Sequence, residues 1–219
     1  MKKGMIFDMD GTLWDSVDSI VVSWNAALQE IGETGVTVTR QQLMGLMGKT
    51  MDVFARTLFP HYTPEKGAEW IDTLGRIENE FLGKYGAVLL GDVKAVFIRL
   101  REMGYGVYIV SNCQSGYIEG FLKYYHLEDL VEDTECYGDT LRGKADNLKL
   151  LIERNHLDQY LYLGDTQGDL DACREAGVPF LFAAYGFGSV DASIPRIEAL
   201  DDLPEYLAGK VRLGEKGQG

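Results

Sequence analysis

Four short polar clusters interrupt the apolar runs of this 219-residue chain: Asp8-Met9-Asp10-Gly11-Thr12, Ser111-Asn112, Lys144, and Asp165 with Asp169. Two carboxylates two residues apart at the end of a strand point the same way if the chain stays extended. Such a pair is tolerated when a cation lies between the two groups or when one keeps a proton. Both conditions suit chemistry on a phosphate. Asp8 is a candidate nucleophile, because a carboxylate attacks phosphorus to give an aspartyl-phosphate. Asp10 is a candidate general acid that protonates the leaving oxygen and later deprotonates the hydrolytic water. Asp8 and Asp165, with the backbone carbonyl of Asp10, offer the hard oxygen ligands that Mg²⁺ prefers. The hydroxyls of Thr12 and Ser111 are candidate phosphoryl contacts, Asn112 a further one, and Lys144 a neutralising charge and catalytic group. Asp169, four residues after Asp165, is expected to stand behind these groups and orient Lys144 or a water on the metal.

The elements that must position these residues are legible in the apolar pattern. Met5–Phe7 reads as a buried strand and Gly11 permits a sharp exit from it. Residues 15–86 read as helical: a first helix to about Gly32, a capping box at Thr39–Gln42, and a long helix opened by Thr63-Pro64. After Gly91 helices alternate with strands at 107–110, 134–137, 161–163 and 178–184. Alternation of this kind predicts an α/β fold, a three-layer Rossmann-like core with a central parallel sheet, carrying an all-helical inserted module. In such a sheet, ligands bind beyond the carboxyl ends of the strands. That rule gathers the polar clusters at one rim. The expected division is a core of residues 1–14 and 87–213, a helical cap of residues 15–86, and an unstructured tail at 214–219. The tethers near 15–18 and 86–91 are expected to act as hinges.

A formal net charge of −13 makes a nucleic-acid backbone an unsuitable partner and requires local positive charge for any phosphate site. Hydrophobic residues make up 46% of the chain, enough for a sizeable core. Cys113, Cys136 and Cys173 have no paired spacing, which suits a reducing compartment. No apolar run is long enough to span a membrane. The expectation is a cytoplasmic monomer acting on a small molecule. His61, His126 and His156 lie outside every cluster and are expected to have surface or packing roles.

Asp8-Met-Asp10-Gly-Thr12, Ser111-Asn112, Lys144 and Gly164-Asp165-Thr-Gln-Gly-Asp169 resemble, in order, the four motifs of the haloacid dehalogenase-like phosphohydrolases. The chain is most similar to their phosphoglycolate phosphatase and beta-phosphoglucomutase branch. The resemblance implies a Mg²⁺-dependent phosphatase acting on a small phosphorylated metabolite, with residues 15–86 as the family's helical cap. It places the Met-rich segment around Lys49 against the site, so Lys49 becomes a candidate contact for a substrate anion. A carboxylate at position 10 favours phosphate esters, because an alkoxide leaving group needs a proton. Two other outcomes use similar residues: a phosphomutase, which returns the phosphoryl group to a sugar, and a signalling receiver module.

Overall fold

The computed structural model describes residues 1–33, 35–209 and 214–215. Strand β1, Lys3–Phe7, starts the chain, and a two-residue strand β2, Trp14–Asp15, follows the first polar cluster. Four helices come next: α1, Val17–Glu30; α2, Arg40–Met44; α3, Met51–Leu58; and α4, Pro64–Tyr85. Thr39 and Gln42 form the capping box at the start of α2, and Thr63 caps α4 with Pro64 in its first turn. β3, Val88–Leu89, returns the chain to the core. The rest alternates: α5, Val93–Glu102; β4, Tyr105–Ser111; α6, Tyr117–Tyr125; β5, Asp133–Cys136; α7, Tyr137–Thr140; α8, Lys144–Arg154; β6, Gln159–Gly164; α9, Gln167–Ala176; β7, Phe180–Ala183; β8, Arg196–Ile197; α10, Leu203–Ala208; and β9, Gly214–Glu215.

The central sheet runs β5-β4-β1-β6-β7-β8 with every neighbour parallel, and β9 pairs antiparallel with β6. The inner strands β1, β4 and β6 are largely apolar on both faces because helices cover both. In β1, Met5 and Phe7 pack with Val93, Val96, Phe97 and Leu100 of α5, while Ile6 faces Leu148, Leu151 and Ile152 of α8. The α1–α4 helices bury a separate cluster, including Trp24, Leu28, Phe54, Ile71 and Leu74.

Two expectations change. The tethers are not bare hinges: β2 and β3 pair antiparallel, Trp14 against Leu89 and Asp15 against Val88, so the helical module stands on a two-stranded stalk. Of the expected tail, Gly214 and Glu215 pair with Tyr160 and Gln159, and residues 216–219 lie outside the described residues.

Candidate active site

Parallel pairing of β1 with β4 and β6 puts Asp8 and Asp165 just beyond, and Ser111 at, the carboxyl ends of three adjacent strands. Asp8, Ser111, Lys144, Asp165 and Asp169 are all buried. Lys144, in the first turn of α8, reaches back under the sheet rim. Its Nζ lies 2.5 Å from Asp169 Oδ1 and 2.9 Å from Asp8 Oδ1, and sits over the Tyr162 ring. Asp169 is further held by the start of α9, where Thr166 N and Oγ1 donate to its Oδ2 at 3.0 and 2.6 Å. Burial alone would raise the Asp169 acid, but Lys144 and Thr166 bring it below the usual carboxylate range. Burial likewise works against the Lys144 ammonium, and Asp169 and Asp8 outweigh it and raise its pKa. Lys144 and Asp169 are therefore a satisfied ion pair.

The other two carboxylates are not satisfied. Asp8 Oδ1 is near Lys144 but lacks hydrogen-bond alignment, and Asp165 Oδ1 is buried with no hydrogen-bond partner. The second oxygen of Asp165 accepts from Phe187 N at 2.7 Å. Burial, with repulsion from Asp169, raises the Asp8 acid to about 7 and, with Asp169 and Asp8, raises Asp165 to about 8. One ligand atom from each of Asp8, Asp165 and Asp169 falls within 4.8 Å of the others. Three ionised carboxylates against one ammonium leave two negative charges uncompensated, so the residues present fit a divalent cation bound by oxygen. The backbone around Asp165 is close-set: a Cβ at Gly11, whose φ is +80°, or at Gly186 would collide with it.

Asp10 departs from the expectation that it shares a direction with Asp8. The strand ends at Phe7, and the turn that follows sends Thr12 N and Leu13 N back to Met9 O. The Asp10 carboxylate leaves the metal-ligand group and accepts from Ser16 Oγ at 2.5 Å and Tyr117 OH at 2.7 Å. The three-carboxylate group is completed by Asp169, which the sequence reading placed behind the ligands, and the Asp10 backbone carbonyl stays the ligand atom expected of that residue. Burial raises the Asp10 acid to about 6, with the Ser16 and Tyr117 hydroxyls pulling the other way. Ser16, at the N-cap position of α1, makes no side-chain cap bond and serves Asp10 instead.

Thr12 Oγ1 is buried without a partner, and Ser111 lines a small cavity between core and helical module. Asn112 is placed differently from a simple phosphate contact: its Nδ2 donates to Gly48 O at 2.9 Å, tying the core rim to the loop after α2. Lys49, exposed, lies beside that loop and lines the same cavity. The cavity has a volume of about 30 Å³ and also meets Asp10, Trp24, Glu78 and Gln114. Sequence reasoning missed Glu78, Tyr117 and Gln114. The signal for Glu78 was present: Ile71, Leu74, Glu78 and Leu82 share one stripe of α4, with a carboxylate among apolar residues.

The acidic group thus lies at the rim of a parallel sheet, beside an inserted helical module. Residues 5–183 match the family model described as haloacid dehalogenase-like hydrolase, and the chain belongs to that family. It is 30% identical over 196 residues to a phosphoglycolate phosphatase of Aliivibrio fischeri, covering 84% of this chain and 85% of the relative. A predicted phosphatase from Clostridium acetobutylicum superimposes with a TM-score of 0.78 at 17% identity, over 96% of this chain and 100% of that one. CbbY from Rhodobacter sphaeroides, solved with xylulose-1,5-bisphosphate, gives 0.75 at 16% identity, over 93% and 96%. The chain is thus a phosphatase of this family, and the receiver-module alternative is set aside.

Proposed function

We propose that this chain is a Mg²⁺-dependent phosphomonoesterase that hydrolyses a small phosphorylated metabolite through an aspartyl-phosphate on Asp8. The observation that carries this reading is the pair of under-compensated buried carboxylates, Asp8 and Asp165, beside the satisfied Lys144–Asp169 pair. Asp8, Asp165 and the Asp10 carbonyl would hold the ion, with Asp169 beside them. When bound, Mg²⁺ supplies positive charge that offsets the phosphate and keeps Asp8 ionised.

The chain's own groups account for the rest. An Asp8 carboxylate oxygen attacks phosphorus, and the ester oxygen leaves with the Asp10 proton. Burial raises the Asp10 acid to about 6, so more of it carries that proton near neutral pH than an ordinary aspartic acid would. Asp10 then takes a proton from the water that cleaves the aspartyl-phosphate, which restores Asp8 and releases phosphate. Lys144, Ser111 and Thr12 neutralise and hold the phosphoryl oxygens. Residues 15–86 act as a cap over the core of residues 1–14 and 87–213. The cavity between core and cap is small, and the cap is taken to swing on the β2–β3 stalk to admit the substrate.

No helix among the described residues is long and apolar enough to cross a membrane. The three free, buried cysteines fit a reducing compartment, and we place the enzyme in the cytoplasm as a monomer.

Purified protein should release phosphate from p-nitrophenyl phosphate with Mg²⁺ and stop when the ion is chelated. Asp8→Asn should keep its circular dichroism spectrum and lose about a thousandfold or more in turnover. Hydrolysis retained in that variant would refute the nucleophile assignment. Isomerisation of a hexose 1-phosphate faster than phosphate release would turn the reading to a phosphomutase.

A further inference from the structure

The loop between β7 and β8 lies directly on Asp165. Its sequence there is Gly186-Phe187-Gly188. A Cβ at Gly186 would collide with the Asp165 side chain, and one at Gly188 with the Asp165 carbonyl oxygen. The loop can come this close only as bare chain at both positions. That approach brings Phe187 N to 2.7 Å from Asp165 Oδ2, to which it donates. The other oxygen, Oδ1, is buried without a hydrogen-bond partner. One oxygen is thus fixed by the loop, and the other is left for an ion.

The Phe187 ring is held by a different part of the molecule. It packs against the apolar cluster of the helical module, that of Trp24, Phe54 and Leu74. Among the described residues, Phe187 is the one member of that packing group that comes from outside residues 15–86. The ring also passes Gly11, where a Cβ would stand 2.9 Å from Phe187 Cδ2. A segment with glycine on both sides has little conformational restraint of its own. Tyr185 ties its near end to the core, its hydroxyl donating to Thr12 O at 3.0 Å. The Phe187 ring holds the loop on the side of the helical module, so the place of the Phe187 N–H depends on that module being seated.

We propose that Phe187 is a positioning residue that couples the ion held by Asp165 to the seating of the cap. The proposal rests on the reading of Asp8, Asp165 and Asp169 as a divalent-cation site beneath a movable cap. With the cap seated, the N–H stays on Oδ2 and Oδ1 is presented to the ion. With the cap lifted, the ring loses its packing and Asp165 loses its partner. Coupling of this kind is reciprocal: the seated cap tightens the ion, and the ion holds the cap by the same factor. A second contact runs close by, since a Cβ at Gly48 of the cap would stand 3.5 Å from Thr166 Oγ1, next to Asp165. The two routes have to be told apart.

Mn²⁺ binding is measured without substrate, from the electron paramagnetic resonance signal of the free ion, on wild type, Phe187→Ala and Phe187→Leu. Cap seating is followed by amide hydrogen exchange of residues 45–50, with and without Mg²⁺. Wild type should bind Mn²⁺, and Mg²⁺ should slow exchange at 45–50. Phe187→Ala should bind Mn²⁺ about tenfold more weakly. It should also lose the Mg²⁺ effect at 45–50, with exchange in β1 and β4 unchanged. Phe187→Leu, which keeps a large apolar side chain, should restore both. Unchanged Mn²⁺ affinity in Phe187→Ala overturns the proposal. So does a Mg²⁺ effect that survives in that variant, which would assign the coupling to Gly48 and Thr166. Faster exchange throughout, β1 and β4 included, would make Phe187 ordinary packing and overturns it as well. The wild-type response needs no variant to fold: exchange at 45–50 indifferent to Mg²⁺, in a protein that binds Mn²⁺, overturns the coupling and leaves the metal site intact. Wild type that binds no Mn²⁺ removes the cation site itself, and this proposal with it.

Discussion

Glu78, buried in the middle of α4, has a consequence for stability whose size follows from the structure, and Glu78→Gln exposes it. Burial first, and then the Asp10 charge, raises the Glu78 acid from 4.5 to about 8, against the opposing hydrogen bonds of Gln114 and Trp24. The unfolded chain ionises near the lower value, and the folded chain keeps its proton up to the higher one. Between them the unfolded state binds fewer protons, so stability falls as pH rises, by about 1.4 kcal/mol per pH unit. The contribution is fully present below pH 4.5, is lost progressively towards pH 8, and changes no further above that. From pH 5 to pH 8 the loss amounts to about 3–4 kcal/mol. Glutamine has no proton to lose. The difference in unfolding free energy between Glu78→Gln and wild type should therefore move in favour of the variant by that amount over the same interval. Urea unfolding followed by tryptophan fluorescence and circular dichroism, with chelator present, gives the difference at each pH. Asp8, Asp10 and Asp165 are also raised, and subtracting the two proteins removes their share. A difference constant to within about 0.5 kcal/mol from pH 5 to pH 8 would show that Glu78 is ionised in the folded protein, and the burial argument would fail.

Two further outcomes follow from the hydrogen-bond pattern. Lys144→Met leaves Asp8 and Asp169 buried without their cation. It should cost about 3–5 kcal/mol in urea unfolding at pH 7 and abolish turnover, and unchanged stability would contradict the ion pair. Tyr117→Phe removes a donor that lowers the Asp10 acid. The alkaline limb of the kcat/KM profile, where Asp10 loses its proton, should move up by about half a unit to one unit; an unmoved limb would detach Tyr117 from the general acid.

Much of the catalytic rim was readable from the chain because parallel strands advertise themselves. β1, β4 and β6 are short apolar runs that end directly on Asp8, Ser111 and Asp165, so the sheet rule alone brought those groups together. Lys144 was readable for the opposite reason, as a cation at a helix start where the dipole does not favour one. What stayed hidden had no period to detect. β2 and β3 have two residues each, and their pairing joins positions 73 or more residues apart in the chain. Tyr117 looked like another apolar residue of α6, since one aromatic packs and hydrogen-bonds at once: its ring stacks edge-on against Trp14 and its hydroxyl reaches Asp10.

The direction of Asp10 is the most informative departure. Had the strand run on past Phe7, Asp8 and Asp10 would compete for one proton and one cation, and neither could be tuned without disturbing the other. The turn at Met9 separates them. Asp8 is governed by burial, Asp169 and Lys144, while Asp10 is governed by burial, Ser16 and Tyr117, and neither carboxylate figures among the main influences on the other. Two acids two residues apart are thereby given independent environments, one beside a buried ammonium and two further carboxylates, the other held by two hydroxyls. Gly11 makes the arrangement possible, because its φ of +80° lets the chain double back without a side chain striking Asp165. The spacing Asp-x-Asp-Gly therefore encodes a divergence of the two carboxylates, with the glycine as the residue that permits it.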